Sequence, residues 1–405
     1  MKKTLLFTLM LAGFLDIANF FMPAPLYTPL FLHSSLLFGY SEESKSILLG
    51  ILVASYGAAQ LFAAPIIAEC SDQYGRKKAI LVSLSIAIFG GVLAGLSLSF
   101  NWLTLVFISR ILIGAGSGTV AVVFALAASN SSSDERAKNL GYINTGLAMG
   151  CVIGPIVGGY FVQGDSGMPS AYAYPFYFMA ALYFITLLLL LKLLPLDQPM
   201  RKGDKKIHLF TAFHNLWIVL KRSPYLRYLV LMALCFQIGS ESFYLASPIL
   251  GVKKFGMSAS ELANYFTVLG LIGAFTSSWL NKIVSQKYQS SRICNFTLTL
   301  YVLTMGCLII AVNRSVFFIP FLGVAFLGVL TWVHTNNLFS QAVSEKEQGL
   351  VMGVSQSLWS IGGMLGTAFV GFVAAVKYQG VAYLPVLFIL FSWIAVKLMI
   401  KNFKV

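Results

Sequence analysis

Apolar runs about as long as a bilayer is thick follow one another along the chain, separated by short polar breaks. A transmembrane helix needs roughly 20 apolar residues. Twelve such stretches occur, at 4–31, 45–69, 79–99, 102–128, 139–163, 173–194, 225–250, 259–284, 292–312, 315–343, 350–376 and 379–400, here numbered spans 1 to 12. None shows the period-two alternation of a membrane strand, which argues against a β-barrel. The pattern predicts an all-α integral membrane protein. The long break, 195–224, is rich in Lys and Arg. Within it, KKIHLFTAFHNLWIVLKR (205–222) sets Leu209, Phe210, Phe213, Leu216, Trp217 and Leu220 on one helical face between basic flanks, the pattern of a helix lying in the cytoplasmic membrane interface. This divides the chain into a six-span bundle at 1–194, a cytoplasmic linker at 195–224 and a second six-span bundle at 225–405.

Composition supports the same class. Of 405 residues, 58% are hydrophobic and only 10% charged, against about 25% charged in soluble domains. A soluble fold of this length has no core able to hide that much apolar surface. The start, MKKTLLFTLMLAGFL, imitates a signal peptide, but no small-residue cleavage site follows, so a retained first span is expected. The net charge of +14 suggests nucleic acid until the positions are considered. With the N-terminus inside, Lys45, Lys253, Lys254, Arg314 and Lys377 lie outside, Arg110 lies within a span, and the rest of the 28 Lys and Arg residues are cytoplasmic. That is the positive-inside bias. It predicts a multi-pass membrane protein with both termini cytoplasmic, whose large partner is the lipid bilayer and not nucleic acid. Cys70, Cys151, Cys235, Cys294 and Cys307 lie in spans or at their ends, with neither zinc nor disulfide spacing, so no metal site is expected.

The halves repeat. Shifted by 212 positions, 134–159 meets 346–371: Glu135 with Glu347, Gly141 with Gly353, Asn144 with Gln356, Gly150 with Gly362, Gly154 with Gly366 and Gly159 with Gly371. Span 5 therefore corresponds to span 11. Two parallel repeats about an axis along the membrane normal form the plan of alternating-access transporters with a central site, so the expected fold is two pseudo-symmetric six-helix bundles, a monomer acting on a small molecule. No Ser/His/Asp arrangement or metal spacing occurs in any loop, and an enzyme is not expected.

Charges inside the spans are costly and mark function. Asp16 is the one formal charge between Thr4 and Phe31; at the helical rise it lies about 18 Å along from Thr4, near the middle of a core roughly 30 Å thick. It is read as the carboxylate that carries the proton or meets a cationic substrate. Arg110 in FISRILIGAGSG and Glu241 in CFQIGSESFYL are the other buried charges read as proton-coupling groups. His334 is read as a hydrogen-bonded packing residue. Asn19, Gln60, Asn144, Gln237, Asn336 and Gln356 are candidate cavity liners, and Phe20, Tyr56, Tyr244, Tyr265 and Trp359 candidate stacking surfaces for a lipophilic substrate. Gly114, Gly116 and Gly118 are read as close-packing positions.

Three motifs recur as a set. AECSDQYGRKKAIL (68–81), between spans 2 and 3, contains Asp72, Gly75, Arg76 and Lys77 as D-x-x-G-R-K. Gly75 permits a tight reversal, and Asp72 and Arg76 can bond across it or to a neighbouring helix end. Arg110 and Gly114 form R-x-x-x-G in span 4. GCVIGPIVGG (150–159) places Gly150, Gly154, Pro155, Gly158 and Gly159 in a complete G-x-x-x-G-P-x-x-G-G.

These stretches resemble the signatures of the major facilitator superfamily, and most closely its twelve-span drug:proton antiporters of the tetracycline-exporter-like branch, with Ala68 in place of the first loop glycine. The resemblance implies a latch role for Asp72 and Arg76, with Asp134 or Glu135 replacing the acid that is common where Ser129 and Asn130 stand. It implies proton linkage at Arg110 and an antiporter motif in span 5. LDIANFFMPAPLYTP resembles the span 1 acid and proline stretch of that branch. The branch's span 3 acid has no counterpart in ILVSLSIAIFGG, which argues against tetracycline itself. The expected function is proton-coupled export of a lipophilic or amphipathic small molecule, with protons as partners and a proton gradient in place of a cofactor. The alternative is an importer or exchanger of a metabolite, such as a siderophore or amino acid, on the same fold.

Overall fold

Each apolar run folds as a helix. The computed structural model describes residues 3–162, 167–194 and 210–403. Among these there is no strand, and eleven helices are long and apolar enough to cross a membrane. Span 1 is Lys3–Phe21 continued by Pro23–His33, span 2 is Glu42–Tyr74 and span 3 is Arg76–Ser99. Span 4 is Leu103–Ala115 and Thr119–Ser129 joined by the 3-10 turn Gly116–Gly118, span 5 is Ser133–Tyr160 and span 6 is Tyr174–Leu193. In the second half, span 7 is Pro224–Phe255, span 9 Ser290–Ile310, span 11 Gln348–Val376 and span 12 Tyr383–Phe403, while span 10 runs from Arg314 to Gln341 through the π turn Val324–Gly328. The segment expected as span 8 is helical too: Ala259–Phe275 passes through the π turn Thr276–Leu280 into Asn281–Lys287. Asn264, Thr267, Thr276, Ser277, Ser278 and Asn281 dilute its apolar character.

The chain divides into two compact units, Met1–Gly39 with Ala58–Leu209, and Tyr40–Gly57 with Phe210–Val405. Within the first, span 1 packs on spans 5 and 6, and span 3 on spans 4 and 6. Within the second, span 7 packs on spans 11 and 12, and span 9 on spans 10 and 12. Each unit thus repeats the same scheme of partners, as the sequence repeat implies.

Glycines set how closely these helices approach. On span 5, a β-carbon on Gly146 would stand 2.6 Å from the Met10 carbonyl oxygen, on Gly150 2.6 Å from that of Phe14, and on Gly154 2.5 Å from that of Ala18; Gly158 meets Met22 in the same way. Two rows spaced four apart, one on each helix, therefore lie backbone to backbone. Span 11 does likewise: a β-carbon on Gly362 would lie 2.5 Å from Gln237 Cβ, and on Gly366 2.6 Å from the Ile238 carbonyl of span 7. Within the second unit, Gly50 of span 2 also meets Gly371 of span 11, its would-be β-carbon 2.6 Å from Gly371 Cα, and Glu42 at the start of span 2 pairs with Lys45 at 3.0 Å and Lys253 at 3.1 Å.

The linker helix is Thr211–Arg222; Leu209 and the rest of 195–209 lie outside the described residues. Phe210, Phe213 and Trp217 are exposed on it, while Ala212 and Val219 are buried. An apolar face left uncovered by protein suits a helix seated in lipid headgroups. Lys221 lies over the Trp217 ring, 4.5 Å from its centroid, and Arg222 pairs with Glu347 just before span 11. The Ser344 hydroxyl donates to Glu347 at 2.8 Å; with the Arg222 guanidinium it holds that carboxyl below its ordinary range.

Candidate functional site

Span 4 is not one helix, and the reason is local. Gly116-Ser117-Gly118 tightens into a 3-10 turn that takes its carbonyls out of the α-helical ladder. In lipid such groups must find partners within the protein. The Ser117 hydroxyl donates to the Gly114 carbonyl at 2.6 Å. The Gly116 carbonyl accepts from Ser83 Oγ of span 3 at 2.5 Å and from Thr119 Oγ1 at 3.1 Å, and these two hydroxyls are 2.8 Å apart. All three side chains are buried. The glycines at the turn also permit close approach: a β-carbon on Gly116 would stand 3.0 Å from the Ala87 backbone nitrogen, and on Gly118 2.7 Å from Ile67 Cδ1.

Asp16 is buried against this break, 6% exposed. The second half of span 4 packs on span 1 and brings its first turn, at Val120, towards the Asp16 carboxyl. Half-helix starts carry unsatisfied N–H groups and the positive end of the helix dipole. The carboxyl in the interior of span 1 therefore lies near the start of a half-helix. Arg110, on the other side of the break, is 2% exposed, and its guanidinium carbon lies 5.6 Å from the ring centroid of Tyr27, within cation–π range. Tyr27 in turn stacks on Phe176 of span 6, centroids 6.0 Å apart.

In the second unit Glu241 is buried in span 7, and Trp359 Nε1 of span 11 donates to its Oε1 at 2.7 Å. The Trp359 ring lies 6.4 Å from that of Trp332 in span 10. Asn336, one turn beyond Trp332, accepts from Ser355 Oγ at 2.7 Å and donates to the Trp332 carbonyl at 3.0 Å. Glu241, Asn336 and Trp359 thus share one cluster at the junction of spans 7, 10 and 11. Gln237 is buried under Gly362. Tyr244 stacks on Phe266 at 6.0 Å, and Tyr265 packs among Phe317, Phe318 and Phe321. Asn19 and Tyr56 are buried, Phe20 and Gln60 half-buried, and the repeat-related Asn144 and Gln356 both exposed. His334 is buried, with Nδ1 3.1 Å from Ser290 Oγ, a packing histidine as expected.

The loop motif builds one corner. Gly75 has φ 96°, open to glycine, and starts span 3. Arg76 Nη1 donates to the Ala125 carbonyl of span 4 at 3.0 Å. Lys77 Nζ donates to the Leu191 carbonyl at 2.9 Å and to that of Leu194, capping the end of span 6 as a cation at a helix C-terminus does. Asp72 is exposed at the end of span 2. At the end of span 4, Asn130 Nδ2 donates to the Leu126 carbonyl at 2.9 Å; Glu135 is exposed, and the side chain of Asp134 lies outside the described residues.

Several groups escape sequence reasoning. Val120 has no polar side chain to signal it. Ser83 and Thr119 look like ordinary small residues in apolar runs. Tyr27 gains its role only from where Arg110 falls. Gly146 is the exception: the spacing of four from Gly150 extends the motif backwards and makes it findable.

A family model described as Major Facilitator Superfamily matches residues 9–367. The chain is 26% identical to tetracycline resistance protein, class H, of Pasteurella multocida, over 82% of this chain and 81% of that protein. It is 26% identical to multidrug resistance protein 1 of Bacillus subtilis over 78% of each, and 26% identical to the quinolone resistance protein NorA of Staphylococcus aureus over 84% of each. Among solved structures it resembles a bacterial homologue of the human lysosomal transporter Spinster, TM-score 0.77 at 15% identity over 99% of each chain. It also resembles the human organic anion transporter MFSD10, TM-score 0.70 at 18% identity over 97% of this chain and 99% of that one.

Proposed function

The chain belongs to the Major Facilitator Superfamily, and from that premise we propose that it is a proton-coupled antiporter exporting a lipophilic or amphipathic small molecule. It is a multi-pass membrane transporter, not an enzyme, and the relatives it matches across most of its length are named for tetracycline, multidrug and quinolone resistance. The observation that carries the proton-coupled reading is Asp16: a carboxyl 6% exposed in the interior of span 1, packed near the break in span 4. A lone carboxyl in the interior of a span is costly and marks a proton or ion pathway, so it can exchange a proton when its access to water alternates between the two sides. Glu241, held by Trp359 at 2.7 Å, is the buried acid of span 7 in the second unit and serves coupling or binding of a cationic group. The proton gradient supplies the energy without a cofactor. Asp72 and Arg76 act as the cytoplasmic latch, both termini are cytoplasmic, and the protein works as a monomer in the bacterial inner membrane.

The complete glycine–proline motif of span 5 favours export over the import of a metabolite. A growth screen of a deletion strain against an overexpressing strain, across drugs and metabolites, selects the compound. Proteoliposomes under an imposed pH gradient then decide the direction. Accumulation of that compound against the proton flow supports the antiporter; accumulation along it supports an importer and contradicts the proposal.

A further inference from the structure

Helix Thr211–Arg222 has two apolar sides, one buried and one exposed. Ala212 and Val219, seven residues apart, are buried, and the helix packs on spans 7 and 11. Phe213 and Trp217, four apart, are exposed, as is Phe210 three residues earlier. Large aromatic side chains exposed together at helical spacing mark an interaction face. Position fixes the level of that face. Arg222 ends the helix two residues before Pro224, where span 7 begins. It pairs with Glu347, which directly precedes Gln348, where span 11 begins. Arg227 Nε donates to the Leu220 carbonyl at 2.8 Å, which joins the helix end to the first turn of span 7. A helix tied to the starts of two spans lies at the level where lipid meets water.

Charge selects the kind of lipid. Successive spans alternate in direction, so the starts of spans 7, 9 and 11 share one end of the second unit with the ends of spans 8, 10 and 12. Among the described side chains at that end, eight exposed cations, from Lys221 to Lys401, stand against two acids, Glu345 and Glu347, and Glu347 is already paired with Arg222. Lys221 lies on the aromatic face itself, Nζ 4.5 Å from the Trp217 ring centroid. A lysine placed so keeps its stem on apolar ground and its ammonium at headgroup level. We propose that the exposed face of helix 211–222 is a docking surface for anionic phospholipid: Phe213 and Trp217 enter the lipid boundary and Lys221 meets the negative headgroups. Zwitterionic lipid accepts the rings equally well; a net negative headgroup adds attraction for the ammonium and for the cations around it. The inference goes beyond the export reading and depends neither on Asp16 nor on the compound carried.

Hydrogen exchange of the intact chain in lipid nanodiscs tests this without transport. Mass spectrometry follows the peptide covering 211–222 in discs of phosphatidylcholine alone and of phosphatidylcholine with phosphatidylglycerol. Exchange is expected to be slower in the anionic discs by about fivefold, the effect of one cation at a charged membrane surface, and the difference is expected to fade in high salt. Lys221→Gln is expected to remove most of the difference and Lys221→Arg to keep it. Lys287→Gln, which removes an exposed cation of span 8 at the same end, is expected to change it by less than about twofold. Phe213→Ser is expected to quicken exchange in both discs. Equal exchange in the two kinds of disc overturns the proposal. So does an equal effect of Lys221→Gln and Lys287→Gln, which would leave only the general field of that end. Protection that rises with the number of protein copies per disc, and not with phosphatidylglycerol, makes a second copy of the chain the occupant and overturns it as well.

Discussion

Trp359 Nε1 donates to Glu241 Oε1 at 2.7 Å, joining the buried carboxyl of span 7 to span 11. A hydrogen bond to a charged group contributes about 1.5–3 kcal/mol, and a buried partner left unsatisfied costs a similar amount. Trp359→Phe keeps a ring at the site but removes the donor, and is expected to lower the thermal midpoint of the purified protein. Glu241→Gln keeps an acceptor for the indole and is expected to stay close to wild type in stability. A double-mutant cycle of Trp359→Phe with Glu241→Ala, which does remove the acceptor, measures the coupling in thermal unfolding; additive effects in that cycle would contradict the pairing.

The two glycine rows separate positions that look alike in sequence. Gly150 and Gly154 leave no room for a methyl group against span 1, whereas Gly141 and Gly353 have open space where a β-carbon would stand. Gly150→Ala and Gly154→Ala are expected to cost about 1–3 kcal/mol each through overpacking. Gly141→Ala and Gly353→Ala are expected to be neutral, or stabilising by up to about 1 kcal/mol through helix propensity. Unfolding midpoints of the four variants check the contrast, and equal losses at all four positions would refute it.

Gly75 starts span 3 at φ 96°, ψ 147°, close to the extended positive-φ region that is essentially open only to glycine, and an L-residue held there costs about 1–3 kcal/mol. Gly75→Ala is expected to lose that amount and to loosen the Arg76 and Lys77 contacts with spans 4 and 6. Proteolysis of the loop between spans 2 and 3 should quicken, and Gly75→Asn should lose as much, because the tolerance of Asn for positive φ is confined to the left-handed α region.

Glu347 carries the pH dependence outside the membrane. Ser344 and Arg222 hold its folded-state carboxyl below the ordinary value of 4.5. The group therefore contributes stability that is present above that value and lost as pH falls through the lower folded-state value. Tethering of helix 211–222, followed by a spin label on its exposed face, is expected to loosen on acidification past pH 4.5 and to be loose at neutral pH in Glu347→Gln. Equal mobility in the two proteins at pH 7 would count against the tether.

Much of the architecture was legible because lipid imposes a simple rule. Helices such as Pro224–Phe255 and Gln348–Val376 follow from apolar length alone, and the Gly150–Gly159 motif announced its helix contact through spacing. Segment 259–284, expected as span 8, folds as a helix, but its polar residues leave it outside the eleven described helices apolar enough to cross a membrane. The site was legible only in its charges. Asp16, Arg110 and Glu241 stood out as expensive groups, but their partners did not. Tyr27 meets Arg110 only through the fold, and Trp359 reads as an aromatic surface without its tie to Glu241. Gly116 and Gly118 read as packing glycines; they do pack closely, and they also lie at a 3-10 break in span 4, beside the hydroxyls of Ser83, Ser117 and Thr119. Such pairings across helices leave no local pattern in a sequence.

The central claim is that Asp16 couples proton movement to export. The direct measurement is proton movement across proteoliposomes driven by a gradient of the compound the growth screen selects, for the wild type and for Asp16→Asn of equal thermal stability. The account predicts that the wild type moves protons opposite to the compound and that Asp16→Asn loses this movement by about a hundredfold or more, a loss of roughly 2.7 kcal/mol in coupling. Undiminished counterflow of protons in Asp16→Asn would contradict it.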